Sequence, residues 1–67
     1  MKIMSPYQKR VIDEKNDLDD KLEKLEQFIE TNAGFQDLAI FDQELLNLQC
    51  THMQEYSQIL GQRINRF

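Results

Sequence analysis

Tyr7, Arg10, Lys21, Tyr56 and Arg63 are the residues of this sequence whose types could do chemistry together. Guanidinium and ammonium groups hold phosphate oxygens through charge-assisted hydrogen bonds, and a phenol ring can stack on a base. That mixture suits a compact phosphorylated nucleotide better than a long polymer. Catalysis is not indicated. No nucleophile–base constellation is visible, so no catalytic residue is assigned and an enzyme is disfavoured. Cys50 and His52 are the only Cys and His residues, which leaves no set with metal-ligand spacing. Neither a metal nor a cofactor is expected.

These residues can meet only if the chain folds back on itself. Ser5-Pro6-Tyr7-Gln8 opens a helix: Ser5 can cap, Gln8 completes a capping box, and Pro6 stands at the first helical position. Val11, Leu18 and Leu25 then recur every seven residues, with Leu22, Phe28 and Ile29 beside them, in a coiled-coil-like stripe. Thr31-Asn32-Ala33-Gly34 should end this helix in a left-handed turn, with Phe35 and Leu38 folding back onto the tip. A second helix carries Leu46, Met53, Leu60 and Phe67, again at sevens. The expected fold is all-α. It is one antiparallel two-helix hairpin domain spanning 1–67, with helix 1 about 6–31, a turn at 32–36 and helix 2 about 37–66. Residue i should then lie near about residue 68–70 minus i, placing Tyr7 by Arg63 and Arg10 by Tyr56 and Ile59.

Folding back polarises the charge. Lys2, Lys9, Arg10, Arg63 and Arg66, five of the eight basic residues, gather at the open end. Most acids lie along the shafts and towards the tip. The N-terminus of helix 1 adds positive partial charge at the open end. A plainer account is also available: Arg63 and Arg66 oppose the helix dipole, and Tyr7 caps the hairpin end. A variant is head-to-tail assembly, the basic end of one protomer docking on the acidic shaft of another. Lys21 could reach a phosphate or simply a neighbouring carboxylate. Gln49, His52, Tyr56 and Arg63 lie on or near the helix 2 seam, where Gln49 would fix register and His52 would be an interface histidine. Cys50 reads as a small, buried or half-buried apolar group. Gly61 reads either as a point of close helix approach or as a tolerated surface glycine.

A chain of 67 residues seldom builds a core worth more than about 3–5 kcal/mol unaided. With one cysteine no internal disulfide can form, so oligomerisation is the remaining staple. The apolar face of helix 2 is wider than one helix can cover, because Phe41, Leu45, Leu48 and Ile59 extend it sideways. The expected homo-oligomer interface comprises Leu45, Leu46, Gln49, Met53, Leu60 and Phe67. The formal charge of −4, from twelve acids against eight bases, argues against a nucleic-acid polymer as partner. No apolar run approaches the roughly 18 residues of a membrane span, so no membrane partner is expected. The lone cysteine and the lack of a signal peptide fit a reducing cytoplasm.

The run Pro6-Tyr7-Gln8-Lys9-Arg10-Val11-Ile12-Asp13-Glu14-Lys15, then Leu18-Asp19-Asp20-Lys21-Leu22, Leu25 and Phe28-Ile29, resembles a family of small tailed-phage proteins related to a crAss-like phage protein. Phe35, Leu38, Glu44-Leu45-Leu46, Gln49, Met53, Tyr56, Leu60, Arg63-Ile64 and Phe67 continue the resemblance through the second half. A looser analogy, of size, hairpin and oligomeric habit, links the chain to phage sponges of the anti-CBASS type. The resemblance implies a phage accessory protein acting in the cytoplasm of an infected bacterium. The analogy implies counter-defence by sequestering a cyclic di- or trinucleotide between protomers, without catalysis. Tyr7, Arg10, Lys21 and Arg63 would then be the candidates for holding it. The other reading is a protein-interaction inhibitor or adaptor that docks on a host protein through its helical face.

Overall fold

The computed structural model describes residues 3–67; Lys2 lies outside the described residues. They form an antiparallel helical hairpin about 51 Å long and 14–16 Å across. Helix α1 spans Pro6–Thr31, a single turn α2 spans Ala33–Gln36, and α3 spans Ile40–Asn65. The start of α1 follows from its sequence. The Ser5 hydroxyl accepts from the Gln8 N–H, and the Gln8 side chain accepts from the Ser5 N–H, with Pro6 in the first turn.

The tip differs from a left-handed turn. No described residue has positive φ. Asn32 instead takes an extended conformation (φ −96°, ψ 124°) that ends α1 and caps α2 at once, its side-chain oxygen accepting from the Gly34 N–H at 2.7 Å. A Cβ on Gly34 would stand 2.9 Å from that oxygen, so any other residue there would push the capping side chain aside; glycine serves room there rather than φ. The extra turn lets Phe35 bury itself edge-on against Phe28, ring centroids 6.1 Å apart. It also delays α3. Asp37 closes α2, Leu38 and Ala39 make the corner, and the second long helix begins at Ile40 rather than 37. The Gln43 carboxamide secures this corner by donating to the Gln36 and Leu38 carbonyls.

Two 3–4 spaced rows face one another along the shafts. Gln8, Val11, Lys15, Leu18, Leu22, Leu25 and Ile29 turn inward on α1; Gln43, Leu46, Cys50, Met53, Ser57, Leu60 and Ile64 do so on α3, with Phe67 just beyond it. Both rows keep the 3–4 spacing of a coiled-coil seam. Only Val11, Leu22, Phe35 and Leu60 are buried among the described residues, Leu60 completely so. A single seam between two rods can bury no more. The contacts Tyr7–Phe67 and Lys15–Ser57 place the register a few residues beyond the expected pairing.

A polar cluster sits within this seam. Lys15 Nζ donates to Asp19 Oδ2 at 2.7 Å and to Ser57 Oγ at 3.1 Å, and the Ser57 hydroxyl donates to Asp19 Oδ1. The Lys15 hydrogen bond, followed by that of Ser57, holds the Asp19 carboxyl below the usual carboxylate range. Gly61 belongs to the same region: a Cβ there would lie 3.4 Å from Lys15 Cε, an ordinary van der Waals contact, so the position tolerates glycine rather than requiring it.

Candidate functional site

At the open end α1 begins where α3 finishes, which brings Tyr7, Arg63 and Phe67 together. Arg63 Nη2 donates to Tyr7 Oη at 2.5 Å, and the guanidinium carbon stands 5.8 Å from the Tyr7 ring centroid. The Phe67 ring packs at 56° to that of Tyr7, centroids 6.2 Å apart. The hairpin thus ends in two aromatic rings and a cation, with Tyr7 half exposed. Lys9, Arg10 and Arg66 are exposed nearby in sequence on the same helix ends. The geometry permits two actions. The exposed half of Tyr7 can contact a planar group, and Arg63 retains donors for an anion. Arg63 also lies in the last turn of α3, where its charge opposes the helix dipole.

The remaining candidates lie elsewhere. Lys21 is exposed and pairs with Asp17 at 3.1 Å, some 20 Å along α1 from Tyr7 at 1.5 Å per residue. Tyr56 is exposed on α3, two turns before Arg63, and does not join the aromatic cluster. Gln49, His52 and Tyr56 are exposed beside the α1–α3 seam, whose inward row runs through Cys50, Met53, Ser57 and Leu60, whereas Arg63 reaches across to Tyr7 at its edge. Gln49 contacts Met53 Sδ at 3.9 Å, and His52 lies 3.8 Å from Glu55, both at the surface.

The six residues expected to meet another protomer divide in two. Leu46, Met53, Leu60 and Phe67 lie in or against the intrachain seam, where completely buried Leu60 has no surface left for a partner. Leu45 and Gln49 face outward. Exact sevens reveal a seam but not which helix fills it. Cys50 is half-buried; burial, then the Glu26 and Glu30 carboxylates, push its thiol pKa up, so it stays protonated at neutral pH.

Sequence reasoning missed the Lys15–Asp19–Ser57 cluster. Its signal was present: a lysine and a serine at seam positions, with an aspartate one turn after the lysine. Among the described residues, no three His, Cys, Asp or Glu side chains come together as a metal site, and no helix is long and apolar enough to cross a membrane.

Fold and site together define a small all-α hairpin with a cationic, aromatic open end and an acidic shaft. The chain belongs to the Sequestin family, whose model matches residues 5–66. No curated protein and no solved structure matches it.

Proposed function

We propose that this chain is a phage counter-defence protein that, as an oligomer, sequesters a cyclic di- or trinucleotide immune signal without chemical turnover. The family name speaks of sequestration, which is binding rather than catalysis. The observation that carries the ligand class is the open end, where half-exposed Tyr7 and the Arg63 guanidinium lie against each other. A base on the ring and a phosphate on the arginine would use both groups at once. Two helices sharing one seam do not wall off a ligand, so effective sequestration requires a second protomer over this end.

Thermal shift with a panel of cyclic di- and trinucleotides tests the reading. A ligand at 100 times its Kd adds about 2.7 kcal/mol of stability, an easily measured rise in Tm. Arg63→Ala and Tyr7→Ala should remove that rise while the hairpin stays helical. A panel that leaves Tm unchanged would overturn the nucleotide reading. The alternative, an inhibitor or adaptor docking on a host protein, draws on the outward apolar residues of α3. It would be favoured by a defined complex with one host protein that Phe41→Glu abolishes and Tyr7→Ala does not.

A further inference from the structure

Helix α3 is apolar on two sides. Besides the row facing α1, it carries Phe41, Leu45, Leu48, Tyr56 and Ile59, which remain 75, 62, 54, 43 and 54% exposed. With His52 and Glu55 these positions keep the 3–4 spacing of a second seam. That seam lies roughly 100–150° around the helix from the first, at 100° per residue. It is a separate stripe, not a widening of the inner one. At ordinary side-chain sizes its five apolar residues expose on the order of 500 Å² per chain, as much as the largest apolar patch of a typical monomer, about 300–600 Å², and such patches are often functional.

We infer that this stripe is the interface with a second copy of the chain, α3 packing antiparallel on α3 about a two-fold axis level with residue 50. Three observations select this occupant and this orientation. The spacing of the stripe is symmetric about that level: Phe41 falls opposite Ile59 of the partner copy, Leu45 opposite its Glu55 and Tyr56, whose stem and ring can cover it, and Leu48 opposite its His52. Isologous dimers need such self-complementarity. Charge is also distributed for it. The leading end of the second arm carries Asp37, Asp42 and Glu44, and the trailing end carries Arg63 and Arg66. Antiparallel packing brings acidic ends towards basic ends and opposes the helix dipoles, whereas parallel packing sets like charges side by side. Finally, two stripes together supply about 1,000 Å² before the flanking polar stems are counted, the lower bound for a specific interface.

Tyr56 becomes an interface residue in this arrangement. The open end of each hairpin lies towards the tip of its partner. The inference rests on the oligomer half of the proposed function and is independent of the ligand: a dimer that binds no nucleotide upholds this interface and overturns only the ligand.

Sedimentation equilibrium of the wild type at about 100 µM should give at least twice the 8.0 kDa chain mass. Its Tm should rise with protein concentration. Phe41→Glu and Ile59→Lys should each weaken association at least tenfold. The double variant Phe41→Glu/Ile59→Lys should regain association, because only the antiparallel arrangement sets these positions against each other, twice per dimer. A monomeric wild type would overturn the inference, and so would single variants that associate as the wild type does. If both single variants dissociate and the double variant is no better than either, the antiparallel arrangement is overturned. Should the single variants lose helicity, the wild-type mass and the recovery of the double variant still decide the matter.

Discussion

Leu60→Ala tests whether the hairpin is held by its inner seam. Leu60 is completely buried, one of four buried apolar residues among those described. The substitution removes three carbons from a site with no solvent access. At about 0.8 kcal/mol per buried methylene, transfer alone accounts for about 2.4 kcal/mol. The cavity left between two rods adds to this, giving about 3 kcal/mol within the usual range of 2–5 for Leu→Ala. A chain of 67 residues commands about 3–10 kcal/mol in total. The variant should therefore lose much of its stability, shifting the urea midpoint down by about 2–3 M at an m-value near 1 kcal/mol/M. The measurement is urea unfolding followed by far-ultraviolet circular dichroism at several protein concentrations. The Leu60→Ala loss should persist at every concentration, because the site lies within one hairpin. Leu45→Ala should cost less, and its cost should depend on concentration, because Leu45 faces the other copy. A Leu60→Ala loss under about 1 kcal/mol, or one equal to that of Leu45→Ala, would refute the assignment of inner and outer stripes.

Ser5→Ala removes one half of the capping box and should cost about 0.5–2 kcal/mol in the denaturant midpoint; an unchanged midpoint would place the effective start of α1 elsewhere. Asp19 titrates below its unfolded value near about 3.9. The folded state thus binds fewer protons there, and the stability it contributes is complete above about pH 4 and lost as pH falls through the lower, folded value. Asp19→Asn should accordingly flatten the acid limb of stability against pH relative to wild type; parallel acid limbs would remove the coupling. Tyr7→Ala and Arg63→Ala should each weaken binding of a cyclic nucleotide by about 1–3 kcal/mol in calorimetry, from lost stacking and lost charge-assisted hydrogen bonds. That binding should also weaken as salt rises, because the open end is exposed. Equal affinities for both variants and wild type would move the site away from this end.

The long-range plan of this chain is legible because helices declare themselves by period. Val11, Leu18 and Leu25 on one arm, and Leu46, Met53 and Leu60 on the other, mark faces that a hairpin must bring together. Ser5-Pro6-Tyr7-Gln8 gives a boundary because a cap is a local hydrogen-bond requirement. The tip is harder. Asn-Ala-Gly is compatible with a left-handed stop, but the burial of Phe35 against Phe28 favours another helical turn. That is a tertiary gain no local signal encodes. The inner and outer stripes of α3 are both visible as apolar positions; deciding which one meets α1 takes the rotation of the helix. The Tyr7–Arg63 pairing follows from antiparallel topology, whereas Tyr56 and Lys21 do not join it, because neighbouring positions in a helical row can lie turns apart along the axis.

Polar groups in the seam connect the fold to the open end. Apolar heptads tolerate slippage, since leucine packs almost as well one repeat along. A slip of seven residues would move α3 by about 10 Å relative to α1, separating Arg63 from Tyr7 and dismantling the open end. Leucine rows alone distinguish these registers weakly. The Lys15–Asp19–Ser57 cluster distinguishes them sharply: a slipped register would place the Lys15 ammonium and the Asp19 carboxylate against Cys50 or Ile64, where no side-chain hydroxyl answers them. The cluster therefore contributes more to specificity than to net stability, as a single polar position does in coiled coils. Register, and through it the juxtaposition of Tyr7 with Arg63, is set some 12 Å along α1 from the residues that would touch a ligand.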